Sequence, residues 1–143
     1  MRFWETSALI PLCVEGPFSP QAKALLDADP DVAVWWGTPV EQASALARRI
    51  RDATMTAEDE ARARTVLIRI AATWLVVTPS APVLEGAIRL VRTHPLRAAD
   101  ALHLAAALTW TDHSPAGRAF VTFDQRLRDA ALREGFRVLP ETL

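Results

Sequence analysis

The sequence has few of the residues that several common kinds of functional site require. Cys13 is the only cysteine among 143 residues, so the chain forms no internal disulfide and offers no cysteine-based zinc site. It contains no tyrosine, no asparagine and a single lysine, Lys23, so nearly all of its cations are arginines. The motifs G-x-x-x-x-G-K-[ST], G-x-G-x-x-G, G-x-S-x-G and H-E-x-x-H do not occur, which removes support for nucleotide switches, serine hydrolases and zincins.

An excess of positive charge and a long apolar run are also missing. The formal net charge is −1, so any nucleic-acid binding must come from a local patch. The longest apolar runs fall far short of the ~20 residues that span a membrane, and the N-terminus shows no extended apolar signal region. These absences, with the single cysteine, predict a cytoplasmic protein without a membrane segment.

Half of the residues are hydrophobic, which allows a sizeable core, and we predict one domain over residues 1–143. Short apolar segments of strand-forming composition alternate with helical patterns, the first of which Thr6 or Ser7 is predicted to cap. This alternation predicts an α/β fold, a three-layer α/β/α sandwich around a central, mainly parallel sheet of four to five strands. The predicted strands are 1–4, 32–36, 74–78, 119–123 and 136–139.

Four carboxylates occupy positions that suit a ligand crevice. Glu5 follows the first predicted strand and Asp124 the fourth, while Glu41 and Asp100 lie in the first turns of two helices. In a parallel sheet, ligand crevices lie beyond the carboxyl ends of strands, where the strand order reverses. Asp100 belongs to a very apolar helix, in which a lone buried carboxylate is costly. Because no cysteine or histidine cluster accompanies these oxygens, Mg²⁺ or Mn²⁺ is favoured over zinc.

These acids also have ordinary structural explanations, which the sequence leaves open. Thr38 and Glu41 have the spacing of a capping box, in which both side chains bond to amides at the helix start. Glu5 is equally compatible with an acid stabilised by a helix dipole, and Asp124 with an N-cap. His103 shares a helix face with Asp100, where a histidine is either a metal ligand or, more commonly, a hydrogen-bonded core group.

Two further groups of side chains have alternative interpretations. Trp35 and Trp36 end an apolar strand, which favours packing over stacking on bases. Arginines cluster on two predicted helices, where they form either solvated faces or contacts to RNA; these are Arg48, Arg49 and Arg51, and Arg62, Arg64 and Arg69.

Four segments resemble the PIN-domain family, and in particular its VapC-type toxin ribonucleases. W-E-T-S-A-L at 4–9 is similar to the family's opening motif, and T-P-V-E at 38–41 resembles its second acidic position. R-A-A-D-A-L-H-L-A-A-A at 97–107 is similar to the third-acid helix, and F-V-T-F-D at 120–124 resembles the closing strand. The segments occur in the family's order. The family usually has aspartate at the position of Glu5.

The resemblance implies a metal-dependent endoribonuclease that hydrolyses phosphodiester bonds in RNA, the toxin of a type II toxin–antitoxin pair. It implies that Glu5, Asp100 and Asp124 hold or orient Mg²⁺ or Mn²⁺, and that Glu41 ligates metal or orients the attacking water. A cognate antitoxin and a homodimer are implied as well. Residues that would support these acids by hydrogen bonds or charge are Thr6, Ser7, Arg97, His103 and Thr122.

The unusual glutamate at position 5 keeps a second interpretation open. In that interpretation Glu5 weakens the centre, and the chain is a PIN-like module that binds RNA or a protein without cutting. A third interpretation is another metal-dependent phosphatase or nuclease on an α/β fold, such as a DNA flap nuclease, although the chain is short for the extra arches of such an enzyme.

Overall fold

The computed structural model describes all 143 residues and contains five strands and seven α-helices. The strands are β1 (Arg2–Trp4), β2 (Val32–Trp35), β3 (Leu75–Val77), β4 (Ala119–Val121) and β5 (Arg137–Leu139). The helices are α1 (Thr6–Leu9), α2 (Ser19–Ala28), α3 (Thr38–Arg51), α4 (Ala57–Ala71), α5 (Ala81–Thr93), α6 (Ala98–Trp110) and α7 (Gln125–Arg133). The strands are therefore one to two residues shorter than predicted.

The five strands form one sheet in the order β3-β2-β1-β4-β5. All four pairs of neighbours are parallel, which confirms the predicted parallel sheet. Successive strands β1, β2 and β3 run towards one edge of the sheet, whereas β4 and β5 lie on the other side of β1. The strand order therefore reverses between β1 and β4, where ligand crevices of open α/β sheets form.

Neighbouring residues of each strand bury their side chains on opposite faces of the sheet, as the two-residue repeat of a strand requires. Phe3 and Phe120 belong to a core shared with α5, α6 and α7. Trp4 and Val121 belong to a second core, on the side of α1 and α2. Helices thus cover both faces of the sheet, and the predicted three-layer architecture is confirmed.

Helix α6 has more buried residues than any other helix, seven of its 13, as its apolar sequence predicted. Helices α3 and α4 instead form a satellite core with residues Ile10, Leu46, Ala63 and Leu67. No helix is long and apolar enough to cross a membrane.

The start of α1 differs from the prediction. Glu5, not Thr6 or Ser7, is the N-cap, because its carboxylate accepts the backbone N–H of Ser7 at 3.0 Å. Thr6 lies inside the helix, which ends at Leu9 and continues as a 3-10 turn over Ile10–Leu12. The cap therefore places a carboxylate directly at the end of β1.

Candidate metal centre

Glu5 is held at the carboxyl end of β1 by hydrogen bonds that cross to the neighbouring strand. One carboxylate oxygen, Oε1, accepts the N–H of Ser7. The other, Oε2, accepts the hydroxyls of Ser7 and Thr122, the latter at 2.8 Å. The Ser7 hydroxyl also accepts the N–H of Phe123 at 2.9 Å. The ends of β1 and β4 are thereby joined around one carboxylate.

Glu5 is only 6% exposed, and this burial determines its acidity. Removal from water raises the pKa of the carboxyl group, and the proximity of His103 and the hydrogen bonds from Ser7 and Thr122 oppose that rise. Nothing with a permanent positive charge compensates the carboxylate. A cation at this point would therefore relieve an unfavourable buried charge.

Glu41 lies in the first turn of α3 and faces α6. Its Oε1 is 2.9 Å from Nε2 of His103, and its Oε2 accepts the Thr6 hydroxyl at 3.3 Å. The alternative capping box does not form: α3 begins at Thr38, with Gly37 as its N-cap, and the buried Thr38 hydroxyl has no hydrogen-bond partner. Glu41 is therefore directed to the site instead of to the start of its own helix.

Asp100 and Asp124 each use one oxygen at the start of a helix. Asp100 Oδ2 accepts the backbone N–H of Arg97 at 3.3 Å, and Asp124 Oδ1 accepts that of Leu127 at 2.9 Å. The N-cap role considered for Asp124 is therefore real. Burial raises the pKa of Asp100, and the nearby charges of Asp124 and Glu41 raise it further, while the Arg97 N–H lowers it. The acids are thus close enough to repel one another.

All four predicted acids line one pocket of about 540 Å³. None of them forms an ion pair with an arginine or a lysine. Arginine side chains do line the pocket, at Arg48, Arg49 and Arg97. The pocket combines uncompensated carboxylates with nearby guanidinium groups, an arrangement that suits a cation together with a polyanion.

The most compact group of possible ligand atoms consists of Glu5, Glu41 and His103, one atom of each lying within 4.8 Å of the others. Asp100 and Asp124 line the same pocket but lie outside that group. The sequence pattern places His103 on the same face of α6 as Asp100 and carries no signal of its bond to Glu41. The five predicted supporting residues lie beside the acids: Thr6 and His103 at Glu41, Ser7 and Thr122 at Glu5, and Arg97 at Asp100.

The donor set fits a hard divalent cation. An ionised carboxylate has about four acceptor sites. Protein donors occupy three of these sites at Glu5, two at Glu41 and one each at Asp100 and Asp124. Every acid therefore keeps an oxygen lone pair for a ligand, and oxygen donors are those that Mg²⁺ and Mn²⁺ prefer.

The other predicted side chains are less directly involved. Trp35 is buried, in agreement with the prediction that it packs in the protein. Trp36 is instead 58% exposed and does not line the pocket. The second arginine cluster consists of Arg62, Arg64 and Arg69 on α4. It is largely paired within that helix, since Arg62 contacts Glu58 and Asp59. Sequence reasoning missed Phe18, which also lines the pocket; no local pattern distinguishes this phenylalanine from one in the core.

Comparison with known proteins identifies the family. The family model for the PIN domain matches residues 3–132, and the chain therefore belongs to the PIN-domain family. A comparison with curated protein sequences gave no match.

Solved structures that share the fold include two at 20% sequence identity. The crystal structure of PAE2754 from Pyrobaculum aerophilum is 20% identical in sequence, with a TM-score of 0.67 over 98% of this chain and 90% of the other. A toxin–antitoxin complex from Klebsiella pneumoniae contains a chain that is also 20% identical, with a TM-score of 0.55 over 88% of each chain. PIN domains are generally metal-dependent nucleases, and the acidic cluster is compatible with that chemistry.

Proposed function

We propose that this protein is an Mg²⁺- or Mn²⁺-dependent endoribonuclease, the VapC-type toxin of a toxin–antitoxin pair. The observation that carries the proposal is the convergence of Glu5, Glu41, Asp100 and Asp124 on one pocket in which no arginine or lysine neutralises them. Membership of the PIN-domain family supports a nuclease.

The protein groups have separable roles in this proposal. The cation, when bound, supplies charge stabilisation at a phosphoryl oxygen and acidifies water. Glu5, Asp100 and Asp124 would hold it. Glu41, fixed from both sides by His103 and Thr6, would also offer an oxygen to the cation and would accept the proton of the attacking water. Guanidinium groups at the pocket wall would bind the flanking phosphates, because their forked donors match phosphate oxygens.

The decisive experiment compares Asp100→Asn with Asp129→Asn. Asp129 is an exposed acid on α7 that bonds to Gln125 and does not line the pocket. Cleavage of RNA, single-stranded DNA and a small phosphate ester is measured with Mg²⁺ or Mn²⁺. We expect RNA cleavage by the unaltered chain and by Asp129→Asn, and a loss of at least ~100-fold in Asp100→Asn. Equal RNA cleavage by both variants would exclude the proposed site.

A catalytically weakened binding module is the second candidate, and one observation favours it. Three protein donors already occupy the Glu5 carboxylate, more than at any other acid of the site. Glu5→Asp distinguishes the candidates in the same assay. Activity that appears only in Glu5→Asp would indicate a weakened module, whereas activity in the unaltered chain excludes it.

The proposed antitoxin is a small protein that inserts a basic or aromatic side chain into the acidic pocket. The uncompensated acids would attract such a cation, and the likeness to a chain from a toxin–antitoxin complex supports the pairing. If a neighbouring reading frame encodes a short DNA-binding protein, its product should co-purify with this chain and inhibit RNA cleavage. A co-expressed product that leaves cleavage unchanged would contradict the assignment.

We also propose a homodimer through α5. The residues Leu84, Ile88 and Val91 are exposed and lie at helical spacing on its outer side, where an apolar stripe favours association. Light scattering should show a dimer that Ile88→Glu converts to a monomer. Val40→Glu, at an exposed apolar residue of α3, should leave the dimer intact. A monomeric unaltered chain would refute the interface.

A further inference from the structure

Only two aromatic side chains of the protein are exposed, Phe18 and Trp36, at 39% and 58%. Phe18 lies directly before α2 and lines the pocket that contains the four acids, whereas Trp36 does not. Phe18 is therefore the one exposed phenylalanine or tryptophan that a ligand of this pocket could contact.

The ring of Phe18 is held in a stack with Phe123. It lies parallel to Phe123, with ring centroids 4.6 Å apart and an interplanar angle of 15°. Phe123 is buried and its N–H donates to Ser7, which in turn bonds to Glu5. The stack is therefore fixed to the acid network, and Phe18, which is 39% exposed, remains partly accessible to a ligand of the pocket.

Phe18 also lies where two pockets meet. Together with Arg49 it lines both the acidic pocket and an adjoining one of about 260 Å³. The Arg49 guanidinium bonds to the carbonyl of Ala45 and to no carboxylate. A strand of nucleic acid presents phosphates and bases in regular alternation. A cation without a carboxylate partner and a partly exposed aromatic ring at one boundary match that alternation.

We propose that Phe18 stacks on an unpaired nucleobase next to the phosphate bound at the acids. This inference rests on the proposed nuclease function. A base inside a duplex is already stacked on both sides and cannot be reached without being unstacked. Stacking on an aromatic ring tolerates any base, because every base has a π-face. The proposed stack on Phe18 therefore accepts an unpaired base of any identity.

The test measures binding in the Asp100→Asn background, in which RNA stays intact. The probe is a short RNA that carries one fluorescent adenine analogue, used single-stranded, annealed to its complement, and as the DNA equivalent. The added substitutions are Phe18→Leu, Phe18→Trp and Trp36→Leu. Leucine keeps an apolar contact with Phe123 but has no π-face, so this variant separates stacking from packing. Trp36→Leu is the matched control at an exposed aromatic residue outside the pocket.

We expect the analogue's fluorescence to be quenched on binding, and Phe18→Leu to abolish the quenching and weaken single-strand binding about 5-fold or more, the low end for one stacked base. Phe18→Trp should bind at least as tightly as the parent, and Trp36→Leu should be unchanged. Duplex binding should be weaker in all proteins and insensitive to Phe18. If Phe18→Leu affects RNA and DNA strands alike, the result still supports base stacking. If it affects RNA alone, the result indicates that contacts to the sugar contribute as well.

Two outcomes overturn the inference, and they differ in what they mean for the nuclease proposal. If Phe18→Leu behaves like Trp36→Leu while RNA is bound and the unaltered chain cleaves it, the stacking role is wrong and the nuclease stands. If the unaltered chain neither binds nor cleaves RNA, both proposals fall.

Discussion

The Nε2 atom of His103 lies 2.9 Å from Oε1 of Glu41, which joins α6 to α3 across the candidate site. The other ring nitrogen, Nδ1, is buried and has no hydrogen-bond partner. A proton on Nδ1 would be an unsatisfied buried donor, at a cost of about 1–3 kcal/mol. The proton therefore belongs on Nε2, where Glu41 accepts it. His103 then orients Glu41 and has no lone pair aimed at a cation, so the cation's ligands are oxygens.

Substitutions of His103 test this assignment. Glutamine offers an amide N–H in place of Nε2–H, whereas leucine fills similar space without a donor. We expect His103→Gln to keep Mn²⁺ affinity within about 10-fold and His103→Leu to lose about 10- to 100-fold, as for other groups that orient metal ligands. Titration calorimetry measures both. A histidine nitrogen coupled to bound Mn²⁺ in pulsed electron paramagnetic resonance would contradict the donor role.

Glu5 predicts an unusual pH dependence of stability for the metal-free protein. Burial raises its pKa above 4.5, so the folded state binds the proton more tightly than the unfolded state does. The resulting stabilisation is complete below about pH 4.5 and is lost as the pH rises through the raised pKa. Glu5→Gln is neutral at every pH and can still bond to the hydroxyls of Ser7 and Thr122. When thermal unfolding is measured in the presence of a chelator, Glu5→Gln should therefore unfold at a higher temperature than the parent at neutral pH.

The matched control is Glu85→Gln, at an exposed glutamate of α5. It should follow the parent at every pH, and the advantage of Glu5→Gln should disappear below about pH 4.5. If Glu5→Gln is the less stable protein at neutral pH, the hydroxyl groups stabilise the ionised carboxylate more than burial disfavours it.

Thr122 couples Glu5 to the segment that carries Asp124. Its hydroxyl donates to Glu5 Oε2 at 2.8 Å and accepts the Asp124 N–H at 3.1 Å. Thr122→Val keeps the shape and removes both bonds. It should lower the free energy of unfolding by about 1–3 kcal/mol and Mn²⁺ affinity by about 10- to 100-fold. Thr122→Ser should restore most of the free energy of unfolding, measured by urea unfolding, and most of the Mn²⁺ affinity, measured by calorimetry. Metal binding by Thr122→Val equal to that of the parent would refute the coupling.

The parts of the fold that could be predicted from the sequence are those encoded in local patterns. Short apolar segments that alternate with helical ones define the parallel sheet. The strand ends then place Glu5 and Asp124 at one edge, because carboxyl ends of parallel strands lie on the same side. The apolar composition around Asp100 likewise predicted the buried α6.

The rest depends on tertiary relations or on the exact residue at which a helix starts. The bond between Glu41 and His103 requires α3 and α6 to face each other, and nothing in either segment specifies that. The capping box between Thr38 and Glu41 does not form, because it requires Thr38 as the N-cap and Thr38 is instead the first residue of α3. The stack of Phe18 on Phe123 joins residues more than a hundred positions apart, so neither residue reveals it locally.

Arg128 is a buried arginine of α7 that holds the C-terminal segment against the site. Its guanidinium donates to the carbonyls of Thr122, Pro140 and Glu141, at 3.2, 2.6 and 3.3 Å. Arg128→Met keeps the aliphatic stem and leaves these carbonyls without that donor, so we expect a loss of about 2–3 kcal/mol in the free energy of unfolding by urea. The control is Arg137→Met, whose side chain is 62% exposed and pairs with Glu141 at the surface, where a pair contributes about 0–1 kcal/mol. Equal urea midpoints for both variants would show that water replaces the buried guanidinium without cost.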